Sequence, residues 1–365
     1  MADIAVLLSG GVDSSVALRL LQREHGHRLT AWYLKIWLQE ELAFLGDCPW
    51  EDDLRCAREV CAQAGVRLEI QPLQREYWER VVGYVLDELR AGGTPSPDLL
   101  CNERIKFGAF LDGLEQGPDL VASGHYARLD RSGPAPRLLR CPDPVKDQSY
   151  FLSRLTPGQL ERCRFPVGHL HKHEVRALAA ELELPNRDRP DSQGICFLGR
   201  IRYPEFVRHH LGVKPGPIVE LETGKVWGRH EGYWYHTIGQ RKGLRLHGGP
   251  WFVVGKDIAE NVVYISGRGH LADHAVSRFE AGDPRWLSAV PEDGPLNCKL
   301  RHGPSLPGCR LSHLPDDRLA VELDVPDPGV AAGQFVVFYR GEECLGSAVI
   351  QRVHHPGLPP GAQRG

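Results

Sequence analysis

The chain has 365 residues, 42% of them hydrophobic and 25% charged, with a formal net charge of −3 when histidine is neutral. It is too long for one ordinary core, so two or three globular domains are expected, and its charge excludes a generally basic nucleic-acid binder. Any RNA contact must come from local basic patches. No apolar run approaches the roughly 20 residues of a membrane span. Met1-Ala2-Asp3 leads straight into an apolar segment, so no signal peptide and no membrane partner are expected. Ten cysteines in such a chain point to a reducing cytoplasmic setting and to thiol chemistry, not to a disulfide framework.

From Ile4 to about Ser123, strand patterns at 4–8, 29–37, 67–73 and 119–123 alternate with helical patterns at 14–24, 54–64, 76–91 and 103–115. That alternation predicts an α/β domain with a mainly parallel sheet. Between the first strand and the first helix lies Ser9-Gly10-Gly11-Val12-Asp13-Ser14-Ser15. Two glycines allow a tight turn and close approach to an anion, and the following N–H groups at a helix N-terminus form a nest for phosphate. The loop lacks both the Gly-Lys-Ser/Thr ending of a Walker A motif and a G-x-G-x-x-G dinucleotide pattern. Asp13 would repel phosphate unless a cation bridges them, so it reads as a Mg²⁺ anchor, directly or through water. Ligands of parallel sheets bind beyond the C-terminal strand ends, so Ser9 to Ser15 and Gly124-His125 should face one ligand. SGGVDSS resembles the PP-loop of the ATP pyrophosphatases.

Residues 131–145, with four prolines, read as a loop, and helical patterns follow at 172–183 and 204–211. Beyond Gly212 come short β-rich runs at 217–221, 233–238, 251–255, 262–266, 296–301, 319–325 and 334–350, the texture of small β-domains or barrels. Arg340-Gly341-Glu342 reads as a hairpin turn. The tail from His354, with Pro356, Pro359 and Pro360, reads as disordered.

Two cysteines stand in settings that suit chemistry. Cys101 precedes the helical pattern at 103–115, with Arg104 and Lys106 close by; a helix N-terminus and cations favour thiolate, and Asp98 could act as acid or base. Cys196 lies in the polar, glycine-flanked segment Asp191-Ser192-Gln193-Gly194-Ile195-Cys196. Each can equally be a packed thiol. Cys48, Cys56 and Cys61 are not at zinc-knuckle spacing and read as buried or incidental. His169, His171 and His173 read as surface residues, and Trp227, Tyr233, Trp234 and Tyr235 as aromatic packing in a β-domain.

SGGVDSSVA, SPDLLCNERIKFG, ASGHYARL, KDQSYFLSRL, DSQGICFLG and HTIGQRKGL, in this order, resemble the tRNA-specific 2-thiouridylase family along essentially the whole chain. The resemblance implies a PP-loop domain of the adenine nucleotide alpha hydrolase-like fold at 1–160, a small central domain at 161–270, a C-terminal β-barrel at 271–353 and a tail at 354–365. It implies an ATP- and Mg²⁺-dependent exchange of the C2 oxygen of the wobble uridine for sulfur. By matched position, Cys101 is the nucleophile, Cys196 the persulfide carrier and Asp98 an acid or base. ATP falls to Ser9, Gly10, Gly11, Val12, Asp13, Ser14, Ser15, Leu34 and Gly124; Leu34 stands where members often have Met. tRNA falls to Pro97, Asp98, His125, Lys146, Asp147, Gln148, Arg301, His302 and Gln334. The implied partners are tRNAs for Lys, Glu and Gln and a sulfur-donor protein such as a cysteine desulfurase or relay protein. The alternative reading is a PP-loop ligase or amidotransferase acting on a small molecule, which would need neither Cys101 nor Cys196.

Overall fold

A parallel sheet carries the N-terminal part of the computed structural model, which describes residues 1–36, 50–114, 117–191, 203–359 and 362. Its strands are β1 (Asp3–Leu7), β2 (Arg28–Lys35), β3 (Arg67–Pro72), β4 (Leu120–Ala122) and, after a hairpin of β5 (Ala127–Asp130) and β6 (Arg137–Arg140), β7 (Cys163–Arg164). Their order is β3-β2-β1-β4-β7, all parallel. β1 therefore sits between strands whose connections run to opposite sides, and the loops after β1 and β4 open a crevice at the C-terminal sheet edge. Helix α1 (Val12–Arg23) is buried on two sides. Leu18 and Leu21 meet Ile4, Val6 and Leu8 of the sheet, while Val16 and Ala17 meet Val175 and Ala179 of a later helix.

The helical patterns at 54–64 and 76–91 appear as α2 (Trp50–Ala64) and as α3 (Gln74–Tyr77) running through a wide π turn, Trp78–Val82, into α4 (Gly83–Arg90). The pattern at 103–115 begins earlier than expected. Pro97 fixes a first helical position after Ser96, giving α5 (Pro97–Leu100), a π-helical stretch Cys101–Ala109 and α6 (Phe110–Asp112). The wide stretch leaves the Glu103 and Phe107 carbonyls to Gln159, whose Nε2 donates to them at 2.8 and 2.9 Å. Beyond residue 160, β7 and the helix that packs on α1 both still belong to this first unit.

After α7 (Ser149–Leu152), α8 (Pro157–Glu161), α9 (Lys172–Glu181) and α10 (Tyr203–Leu211) comes a four-stranded sheet in the order β10-β11-β8-β9. It comprises β8 (Gly216–Glu220), β9 (Val226–His230), β10 (Trp251–Asp257) and β11 (Val262–Gly267). The strand expected at 233–238 is instead a 3₁₀ turn, Tyr233–Tyr235. Gly232, at φ 155°, lets the Trp234 ring fold back over it, where a Cβ would lie 2.6 Å from the indole. The aromatic cluster packs as expected, Tyr233 on Trp234 and Trp227 on Trp251.

Six further strands are β12 (Val276–Trp286), β13 (Gly294–Lys299), β14 (Gly308–Leu314), β15 (Arg318–Asp327), β16 (Phe335–Arg340) and β17 (Glu343–Val353). They run β12-β15-β14-β13-β16-β17, and β17 pairs back onto β12 to close a barrel around Phe279, Leu311, Val321, Val336, Phe338 and Ile350. The hairpin turn at Arg340-Gly341-Glu342 is present, with Gly341 at φ 60°. Two expectations are corrected here. Residues 131–145 are not all loop, because Leu138 is buried and β6 pairs with β17, adding the β5–β6 hairpin to the barrel wall. Nor is the start of the tail disordered, since His355 and Leu358 are buried and Leu358 fills the space beside Gly255.

One buried ion pair ties the first unit to the barrel. Asp147 accepts from Lys299 Nζ of β13 at 2.8 Å, from Arg140 Nε at 3.1 Å and from Ser149 Oγ at 2.8 Å. Both Asp147 and Lys299 are almost fully buried. Burial alone would raise the Asp147 carboxyl, but Lys299, Ser149 and Arg140 outweigh it and hold it below its ordinary value. Its stabilising contribution is thus complete above the unfolded pKa of about 4 and is lost as the pH falls through the lower folded value. Lys299→Met, which strands the Asp147 charge, should cost about 3–5 kcal/mol in urea unfolding at neutral pH. Lys299→Met/Asp147→Leu should recover most of that loss.

Candidate active site

The loop after β1 is built to leave α1 uncapped. Gly11 is the N-cap and offers no side chain to the first N–H groups of the helix, which are therefore available to an anion. Gly10, at φ 76°, passes so close to α2 that a Cβ would lie 2.3 Å from the Asp53 carbonyl oxygen. The serines are partly committed: Ser14 and Ser15 hydroxyls both donate to the Gly11 carbonyl at 3.0 Å. Ser15 is fully buried and also accepts from Asn186 Nδ2 at 2.9 Å, so its hydroxyl braces the loop from behind. Asn186 and Arg189 donate to the Gly10 carbonyl at 2.8 and 3.1 Å.

Gly124, after β4, meets this loop directly. A Cβ there would stand 2.6 Å from the Ser14 nitrogen and 2.7 Å from the Asp13 carbonyl carbon, so two backbones touch at the crevice. Leu34 sits at the same sheet edge, near the end of β2 and half-buried. Asp13, expected to anchor a metal, already has a cation. Its Oδ1 accepts from Lys172 Nζ at 2.6 Å and from Tyr126 OH at 2.7 Å. No group of three His, Cys, Asp or Glu side chains is placed to hold a metal among the described residues. The residues present fit a Mg²⁺ held chiefly by nucleotide oxygens, with Asp13 as the protein's share.

Cys101 is not at a helix N-terminus as expected. A full turn, Pro97–Leu100, precedes it, and the residue is buried in the core beneath the crevice. The dipole argument for its thiolate therefore fails. Pro97 is buried too, whereas Asp98 is half-buried, and burial raises its carboxyl while Lys106 partly offsets the rise. Burial and the same lysine keep His125 neutral. The His125 ring lies against Phe107 and Phe165, with Nδ1 2.7 Å from Ser123 Oγ. Asp98, Lys106 and His125 thus share one electrostatic neighbourhood beside Gly124. Cys196 lies outside the described residues, as does Cys48; Cys56 and Cys61 are buried, as expected.

Among the residues that the resemblance assigns to tRNA, His302 of the barrel region meets the segment at 147–151. His302 Nε2 is 3.1 Å from the Asp147 carbonyl, and its ring stacks on Phe151 at 4.9 Å. Gln148 exchanges two hydrogen bonds with Tyr126, which in turn holds Asp13. Arg301 is exposed but paired with Asp327, and Gln334 Oε1 is buried without a hydrogen-bond partner among the described residues. The Asp147 carboxylate has no accessible surface and serves the buried ion pair. Tyr126, Lys172, Asn186, Arg189 and Asp191 were not singled out from sequence. The polar run Asn186 to Asp191 was the available signal, but no fixed spacing links it to the loop.

Gly124→Ala should push the two loops apart and reduce ATP binding below detection by calorimetry, with the far-ultraviolet circular dichroism unchanged.

The chain matches the tRNA methyl transferase HUP domain family over residues 2–200, the tRNA methyl transferase PRC-barrel domain family over 204–267 and the aminomethyltransferase beta-barrel domain family over 276–350. It is 43% identical over 357 residues to the tRNA-specific 2-thiouridylase MnmA of Parabacteroides distasonis, covering 95% of this chain and 98% of that protein. With MnmA 2 of Bacteroides fragilis (strain ATCC 25285) it shares 44% identity over 356 residues, 95% and 99% of the two chains. With MnmA of Porphyromonas gingivalis (strain ATCC 33277) the identity is 42% over 366 residues, 96% and 99%. Such identity, sustained along almost the full length of each relative and over a parallel sheet that ends in a phosphate loop, means that the chain belongs to the tRNA-specific 2-thiouridylase family and is a tRNA-thiolating sulfurtransferase.

Proposed function

We propose that the protein adenylates the C2 oxygen of the wobble uridine and replaces it with sulfur carried on Cys196, acting in the cytoplasm on tRNAs for Lys, Glu and Gln. The observation that carries this reading is the contact between the loop after β1 and Gly124, beside which Asp98, Lys106 and His125 gather. A carbonyl oxygen is a poor leaving group. Its attack on the α-phosphorus of ATP expels pyrophosphate, which the uncapped N–H groups of α1 receive, and leaves AMP as the group to depart. Mg²⁺, held by Asp13 and phosphate oxygens, would supply charge neutralisation at the phosphates.

Sulfur delivery follows from thiol chemistry. The terminal sulfur of a Cys196 persulfide, loaded by a donor protein, attacks C2 and AMP leaves with the former C2 oxygen. The Cys101 thiolate then attacks the Cys196 sulfur, breaking the S–S bond. This leaves C2=S on the base and a Cys101–Cys196 disulfide, which a cellular thiol reduces. Asp98, its carboxyl raised by burial, takes or gives protons at the uracil. The buried setting of Cys101 keeps that sulfur from adventitious oxidants.

Two measurements test the reading. Mass analysis of nucleosides from tRNA incubated with ATP, Mg²⁺ and a persulfide-generating donor should show 2-thiouridine with wild type but none with Cys101→Ser or Cys196→Ser, whereas sulfide in place of the donor should restore the product in both variants. Full persulfide-dependent activity in both single variants would sink the assignment. The second is a pH profile. Asp98 is held above its ordinary value by burial against the opposing Lys106, so Lys106→Met should move the acid limb of the thiolation rate to higher pH.

A further inference from the structure

We propose that Lys172, the first residue of α9, is a ligand for the β- and γ-phosphates of ATP, held ready by Asp13 until nucleotide arrives. The idea rests on the adenylation proposed above but concerns a residue outside the phosphate loop. Lys172 Nζ lies 2.6 Å from Asp13 Oδ1 and 2.8 Å from Asp191 Oδ1. Asp13 is the second residue of α1, in the turn whose N–H groups have no side-chain cap. The ammonium is therefore already at the mouth of the anion nest, and its side chain is only 15% exposed.

The surrounding charges allow it to change partners. Asp191 also pairs with Lys146 and Arg176, each at 2.6 Å, so it stays compensated if Lys172 leaves. Asp13 keeps its hydrogen bond from Tyr126, a phenol that burial and the nearby Asp13 charge hold firmly protonated. Lys146 and Arg176 thus stay on Asp191 when the Lys172 ammonium turns to a phosphate oxygen, the stronger anionic partner of a polyphosphate. Moving Lys172 from Asp13 to phosphate would also release Asp13 Oδ1 for the cation that accompanies the nucleotide. The base of α9 is fixed independently: the Lys172 N–H donates to Asp143 Oδ2 at 3.1 Å and the His171 N–H to Glu174 Oε2 at 2.7 Å. The lysine head can therefore swing while the helix start stays in place.

The test compares two nucleotides on the full-length protein. AMP lacks the phosphates that Lys172 would touch, so Lys172→Met should weaken Mg²⁺-ATP binding by about 10- to 100-fold in calorimetry and leave AMP binding within about twofold. Lys172→Arg should retain most of the ATP affinity. A purely structural clamp between α1 and α9 would instead weaken ATP and AMP together, and that result, or unchanged ATP binding, overturns the proposal. Should Lys172→Met not fold, Lys172→Gln keeps a donor toward Asp13 and carries the same comparison. Wild-type protein that releases no pyrophosphate with ATP and tRNA would overturn the adenylation reading itself; normal release beside an unaffected Lys172 variant would overturn only the lysine's role.

Discussion

The close approach of two loop backbones governs this protein. β1 and β4 are neighbours in the sheet, and their following loops meet where Gly124 leaves no room for a Cβ against Asp13 and Ser14. That contact sets where an anion can bind, because it fixes the uncapped turn of α1 at the mouth of the crevice. It also places His125, and through Phe107 the π-helical stretch that begins with Cys101, against the same opening. The uncapped turn of α1 and the stretch that begins with Cys101, far apart in sequence, thereby share one edge of one sheet.

The barrel is fastened to that edge from below. Asp147 and Lys299 form a pair that would be costly to break, and the segment that follows supplies Asn102 with the Phe151 carbonyl and the barrel with the buried Arg154. Arg154 reaches Asp283 of β12 at 2.7 Å and lies over the Phe335 ring, so the helix carrying Cys101 and the barrel are braced by the same short stretch. The β5–β6 hairpin extends the barrel wall from within the first unit. A nucleic acid bound across the barrel face at His302 would therefore be only one hydrogen-bonded segment away from Tyr126 and Asp13.

Much of this was legible in order along the chain. Strand, Gly-rich loop and helix fixed the phosphate nest, since glycine and an uncapped helix start are local properties. The parallel sheet followed from alternating patterns, and its crevice from the rule for strand ends. Less legible were elements with weak local signals. The 3₁₀ turn at Tyr233–Tyr235 has the β-propensity of a strand and is bent by Trp234 folding over Gly232. The hydrophobic pattern places the helix near Cys101 at 103–115, whereas Pro97, pre-set for a first helical position, starts it earlier.

The sequence by itself determined the chemistry available: a phosphate loop, two cysteines in ordered motifs, and a family whose members thiolate tRNA. Periodicity and turn residues carry that information because they act over a few residues. Tertiary structure alone decided which charges meet. Asp147 reads as one more polar residue in a motif, yet packing against Lys299 removes it from solvent and makes it a structural anchor. Asp13 reads as a metal anchor, yet Lys172, 159 positions away, already sits on its carboxylate. Coulomb forces depend on distance in space, and no spacing along the chain encodes that distance.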